Sequence, residues 1–119
     1  MQSSSRSTRS RPTPPRALTV HVSSGADGIV TVRATGNLDI YTIARLRQRM
    51  ARHDPSDGNV VLDVSGVTLI DSSGLGTLLS FANRARRGGS RLPLICRQDL
   101  AGILEIARLT EAFDVTLVQ

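Results

Sequence analysis

The segment VVLDVSGVTLIDSSGLGTLL (60–79) decides the fold. Val60 to Val64 is almost continuously apolar, as a strand buried on both faces should be, which makes it parallel and central. Val67-Thr68-Leu69-Ile70 follows, and then Asp71-Ser72-Ser73-Gly74 breaks the run. Beyond the break, Leu75, Leu78, Leu79, Ala82 and Ala85 recur at helical spacing, and Arg86, Arg87 and Gly88-Gly89 close the stripe. A buried strand therefore passes through a polar turn directly into a helix.

Working upstream, Thr42 is placed to cap a helix carrying Ile43, Leu46 and Met50, which Pro55, Asp57 and Gly58 end. Before it, Leu18 to Ser23 and Ile29 to Ala34 alternate apolar and polar residues around Gly25-Ala26-Asp27-Gly28, the pattern of an antiparallel hairpin. Downstream, Leu92 to Cys96 reads as a strand in which Pro93 demands an early or edge position. Asp99 is placed to cap a short helix with Leu100, Ile103, Leu104 and Ala107, and Val115 to Val118 forms a last strand. The order β-β-α-β-α-β-α-β predicts an α/β fold: a mixed, mostly parallel sheet with an N-terminal β-hairpin and helices packed on it.

The chain has 119 residues with a net charge of +5, and all fifteen of its basic residues are Arg. Without Lys there is no Walker A loop, Schiff base, Ser–Lys dyad or Lys-bearing receiver site. Residues 1–16 hold Arg6, Arg9, Arg11 and Arg16, no acid and almost nothing apolar, so they read as a disordered leader ahead of one domain over 17–119. That domain holds eleven Arg against ten acids, so most of the excess charge belongs to the leader. The leader could contact nucleic acid, but four dispersed Arg release few counterions, and no direct nucleic-acid partner is expected. Cys96, the one cysteine, sits in an apolar run and reads as a reduced structural thiol, and His21 and His53 are too far apart for a zinc set. No apolar run approaches the roughly 20 residues of a membrane span, and no secretory leader is evident. A cytoplasmic protein with no membrane partner, no metal and no cofactor is the expectation.

Chemistry concentrates at the start of the helix after Ile70. Backbone N–H groups at a helix N-terminus lack partners and carry partial positive charge, so a serine there can cap, and a phosphate there meets a favourable field. Ser72 and Ser73 are thus candidate phosphate acceptors or plain N-caps, while Gly74 and Gly76 leave the helix end open. A hydrolase does not fit: Ile70 or Asp71 stands where a nucleophile elbow needs its first Gly, and both His residues precede the serines. Asp63 reads as a structural carboxylate at its strand end.

These residues carry a resemblance. Ile70-Asp71-Ser72-Ser73-Gly74-Leu75-Gly76 is similar to the D-S-[ST]-G-L-G phosphorylation loop of the STAS-domain anti-sigma factor antagonists, and Gly36-Asn37-Leu38-Asp39 with Thr42 is similar to the family's G-x-L-D-x-x-T. Gly88-Gly89 before the next strand agrees, and the likeness covers roughly Leu18 to Val118. The departures are the long leader and Asn37, where an acid is more usual.

The resemblance implies a STAS-like fold and a binding switch that is not an enzyme. The unphosphorylated form would bind an anti-sigma factor serine kinase and free a sigma factor. Phosphorylation of Ser72, with Ser73 as second candidate, would end that binding, and a serine phosphatase would restore it. Asp39, Thr42, Asp71, Ser72, Ser73, Gly74, Leu75 and Gly76 would form the partner-binding surface of a chain that is a monomer on its own. The alternative within the family is an accessory subunit of a membrane transport complex.

Overall fold

Alternating side chains over Leu18–Ser24 (β1) and Val30–Leu38 (β2) form the expected antiparallel hairpin, with Gly28 N donating to Gly25 O in the turn. The computed structural model describes residues 17–118, so the disorder expected of residues 1–16 lies outside the described residues. Helix α1 (Ile43–Met50) leads to β3 (Val60–Ile70), α2 (Ser72–Arg87) to β4 (Leu92–Arg97), and α3 (Gln98–Ile106) to β5 (Phe113–Val118). The sheet order is β1-β2-β3-β4-β5, antiparallel only between β1 and β2.

Each helix joins two neighbouring parallel strands, and the order never reverses direction. Right-handed crossovers laid down in one direction place their helices on one face of the sheet. Burial follows that rule. Val32, Leu62, Leu94 and Phe113 join Leu46, Leu78 and Leu104 from the three helices in one core, whereas Thr19, His21 and Arg33 on the opposite face are exposed. Strand β3 is central and parallel to both neighbours, as expected, but it is not buried on both faces: Val61 and Ser65 are only half-covered. It also runs unbroken through both apolar stretches that the sequence separates.

Three local expectations change. Thr42 stands at the N-cap position of α1, as expected, but its hydroxyl makes no cap bond to the helix. Asp99 lies inside the first turn of α3, with Arg97 at the cap position, and on that helix only Leu100 and Leu104 are buried, while Ile103 and Ala107 are exposed. Pro93 is indeed early, at the second residue of β4, but β4 is interior: the ladder to β3 begins one residue later, at Leu94, so the missing N–H costs no bond there. Cys96 is fully buried, and burial, with Asp99 nearby, pushes its thiol up from the ordinary value, so little thiolate forms.

Gly36 bends β2 towards the site. Its φ is +112°, and a Cβ there would strike the Ala17 carbonyl, so only glycine fits. The β2–β3 register shifts between Gly36 and Asn37, which re-aims the end of β2.

Asp63 lies on the open face, yet it is only 6% exposed because Arg33 covers it, with Nε 3.2 Å from Oδ2. Burial opposes its ionisation, but bonds from Ser65 Oγ (2.7 Å) and Ser65 N (2.9 Å), together with the Arg33 guanidinium, outweigh it and hold the carboxyl below the usual aspartate value. A carboxyl held low stabilises the fold fully above the unfolded-state value and loses that contribution as pH falls through the folded-state value. Asp63→Asn should therefore unfold at lower urea than wild type at neutral pH, and the gap should narrow by about pH 3. A gap that does not change with pH would show that the ionised form contributes nothing.

Candidate functional site at the carboxyl ends of β2 and β3

Leu38 and Ile70 lie opposite each other at the carboxyl ends of parallel β2 and β3, so the loops that follow emerge side by side. Asp71 joins them. Its extended backbone (φ −107°, ψ −176°) is that of an N-cap, and Oδ1 accepts from Gly74 N at 2.9 Å. Oδ2 accepts from Ile40 N at 3.2 Å in the neighbouring loop, and Asp71 N donates to Leu38 O at 3.3 Å. One side chain thus starts α2 and pins the β2–α1 loop.

With the cap supplied by Asp71, neither serine is the N-cap. Ser72 is the first residue of α2, exposed, and its hydroxyl makes no hydrogen bond among the described residues. Ser73 is half-buried, and its carbonyl accepts from Thr77 Oγ1 at 2.8 Å. Gly74 is buried under Leu38, where a Cβ would strike the Leu38 carbonyl and come within 2.8 Å of Ile70 Cγ1. At Gly76 a Cβ would meet nothing within 4 Å, and Leu75 is half-buried against the core.

Asp39 and Thr42 turn inward, at 4% and 5% exposure. Asp39 Oδ1 accepts from Tyr41 N at 2.9 Å, and the Asp39 carbonyl accepts from Ile43 N at 2.9 Å. Thr42 Oγ1 accepts from Asp39 N at 3.0 Å and donates to the Asn37 carbonyl at 2.8 Å. These two residues build the loop, and the surface it offers belongs to Ile40 and Tyr41, 63% and 73% exposed. Leu69, two residues before Asp71, is a further exposed apolar side chain at 54%. It borders a shallow cleft of about 130 Å³ between the end of β3 and Ile103 of α3. Sequence reading passed over Ile40, Tyr41 and Leu69; their signal was apolar side chains at positions the core periodicity does not use.

The remaining candidates stay apart. His21 stands on the open face of edge strand β1, and His53 follows the far end of α1, at the opposite edge of the sheet from Ser72. Asn37 accepts from Thr68 Oγ1 at 3.0 Å through its side-chain oxygen, a role a carboxylate could fill equally.

The family model described as "Mlab, STAS domain" matches residues 21–119. The chain belongs to the STAS-domain family. Its fold is shared with solved STAS structures at low sequence identity. An anti-sigma factor antagonist from Mycobacterium paratuberculosis superposes with a TM-score of 0.74 at 21% identity, covering 87% of this chain and 89% of that one. The Bacillus cell fate determinant SpoIIAA in its phosphorylated form gives 0.63 at 15% identity, covering 85% and 92%. The anti-sigma factor antagonist SpoIIAA in its unphosphorylated form gives 0.58 at 14% identity, covering 85% and 88%. In this STAS domain, as the sheet order requires, the two loops at the carboxyl edge are neighbours. Among the described residues no helix is long and apolar enough to cross a membrane.

The two glycines of the α2 first turns have opposite roles. Gly74→Ala should destabilise the domain by about 1–3 kcal/mol through overpacking against β2 and β3. Gly76→Ala should stabilise it by about 0.5–1 kcal/mol, because helix propensity rises with no clash. Urea denaturation of the two single variants measures both, and equal effects would contradict the packing described.

Proposed function

We propose that this STAS domain is an anti-sigma factor antagonist whose binding is switched at Ser72. The unphosphorylated form binds an anti-sigma factor serine kinase through the surface around Ser72, and the sigma factor is released. Phosphorylation of Ser72 ends that binding, and a serine phosphatase restores it. The domain has no catalysis of its own and works in the cytoplasm as a monomer until it meets the kinase. The observation that carries this reading is the uncommitted, exposed hydroxyl of Ser72, left free because Asp71 performs the capping. The half-buried Ser73 is less accessible to a kinase. That proteins of this fold include an antagonist with phosphorylated and unphosphorylated forms supports the same reading.

The electrostatics suit a switch. A phosphate adds about −1.5 to −2 charges and three acceptor oxygens. On its own helix N-terminus it meets unpaired N–H groups and a favourable dipole, so the fold survives. In an interface that includes Ile40 and Tyr41, the same group must give up its water without a compensating partner, and the adjacent Asp71 carboxylate makes that loss of water costlier. A few kcal/mol lost in this way weakens binding by roughly 10²–10³. No conformational change is required of the domain.

Incubation with ATP and the candidate kinase, followed by mass mapping, should place one phosphate on Ser72 and none on the Ser72→Ala variant. Ser72→Asp should weaken kinase binding at least about tenfold with thermal stability nearly unchanged. Equal affinity of kinase for the modified and unmodified forms would overturn the switch. Copurification with a membrane transport complex, with Ser72 unmodified, would favour the accessory-subunit reading instead.

A further inference from the structure

Helices α1 and α2 carry six Arg and no acid, whereas α3 carries Asp99 and Glu105 and no base. Helices α1 and α2 therefore give the domain a basic side, and that side includes a groove. β1 is an edge strand of the sheet, with β2 as its neighbour, and α1 runs alongside it in the same direction. A cleft of about 490 Å³ lies between Leu18–Val20 and Arg45, Gln48 and Arg49. It continues into one of about 560 Å³ between Val22 and Arg52 and His53. Arg45 Nη1 reaches the Leu18 carbonyl at 3.4 Å, a long contact, and none of Arg45, Arg49 and Arg52 makes an ion pair among the described residues. The nearest acid in sequence is Asp54, whose carboxylate accepts from Ser56 N beyond the end of the helix.

The groove thus combines the outer backbone edge of a strand with three unneutralised guanidinium groups at i, i+4 and i+7. Its occupant must satisfy both. A second copy of the chain pairing β1 on β1 would bring two arginine-lined helices together, and like charge opposes that. The Arg-bearing segment 1–16 has the same sign and is disfavoured for the same reason. An extended acidic peptide meets both demands. Adjacent strand residues on one face recur about every 6.8 Å, and the helical rise from Arg45 to Arg49 is about 6 Å, so carboxylates at alternate positions keep step with Arg45 and Arg49.

We propose that the groove between β1 and α1 binds an extended acidic segment of a partner protein, with an acid at every second residue, added as a further strand on β1. This site is separate from Ser72 and stands whether or not Ser72 is a phosphorylation site.

The test uses the full chain and a fluorescein-labelled octapeptide of alternating glutamate and threonine, followed by fluorescence anisotropy at low ionic strength. Arg45→Gln, Arg49→Gln and Arg52→Gln combined should weaken binding at least about tenfold. All three are exposed; Arg45 and Arg49 lie on α1, where Gln has similar helix propensity, Arg52 lies in the turn beyond it, and far-ultraviolet circular dichroism verifies that the variant is folded. Replacing Arg6, Arg9, Arg11 and Arg16 by Gln should change the affinity less than about threefold. A peptide of the same composition with its acids in one block, or with alternate amides methylated, should bind several-fold more weakly. Unchanged affinity in the groove variant, loss confined to the variant of residues 6–16, or equal binding of the blocked and alternating peptides would each overturn the proposal. So would a peptide that fails to bind, or tighter arginine-dependent binding to phosphatidylglycerol vesicles or to a DNA duplex.

Discussion

Asp71 uses both carboxylate oxygens on two different elements, and the arrangement of the site follows from that. One oxygen satisfies Gly74 N at the start of α2, and the other satisfies Ile40 N in the loop between β2 and α1. A capping bond is worth about 1 kcal/mol, too little to decide a fold but enough to fix where a helix begins. Its placement decides which residue is the first of the helix and thereby leaves the Ser72 hydroxyl outside the cap. Gly74 makes this geometry possible, because any larger residue would push α2 away from the end of β2. Asp39 and Thr42 then close the neighbouring loop from within, so that Ile40 and Tyr41 face outward.

Much of this was legible in the residues. The continuous apolar run at Val60–Val64 made β3 central and parallel, and the helical stripe from Leu75 to Ala85 made α2. Periodicity reports which side chains an element buries, and these elements bury theirs against one core. What it cannot report is whether the second face of the sheet is covered. That depended on the strand order, and an order without a reversal leaves one face open. The same limit explains why Thr42, at the N-cap of α1, makes no cap bond with its hydroxyl and why Asp99 lies inside the first turn of α3 rather than at its cap. Several Asp and Thr residues near each helix start can cap, and the choice among them depends on tertiary partners such as the Asn37 carbonyl. The motif around Ser72 was visible in the sequence, whereas the apolar surface around it was not. Ile40 and Tyr41 stand beside Asp71 because β2 and β3 end in register.

The net charge of +5 conceals how the charges are distributed along the chain and over the fold. Assigning the excess to residues 1–16 left a domain with eleven Arg and ten acids, which suggests an indifferent surface. The fold gathers six of those eleven Arg on α1 and at the end of α2, two helices that carry no acid. Fields from sorted charges reach about a Debye length, roughly 8–10 Å, so polarity of this kind orients an approaching partner even when the sum is near zero.

Helix α1 connects the two surfaces of the domain. Its N-terminal loop is held to Asp71, and its exposed side forms one wall of the groove beside β1. Its buried side, through Leu46 and Met50, belongs to the single core, and Arg47 reaches Thr77 of α2 at 3.4 Å. A close-packed core of this kind resists small displacements, so a charge added at Ser72 under the proposed switch would act on a partner where it stands rather than by moving α1. A partner engaging both surfaces would be held at two points on a rigid body. Each contact would then raise the effective concentration for the other, provided the partner's geometry lets both engage at once.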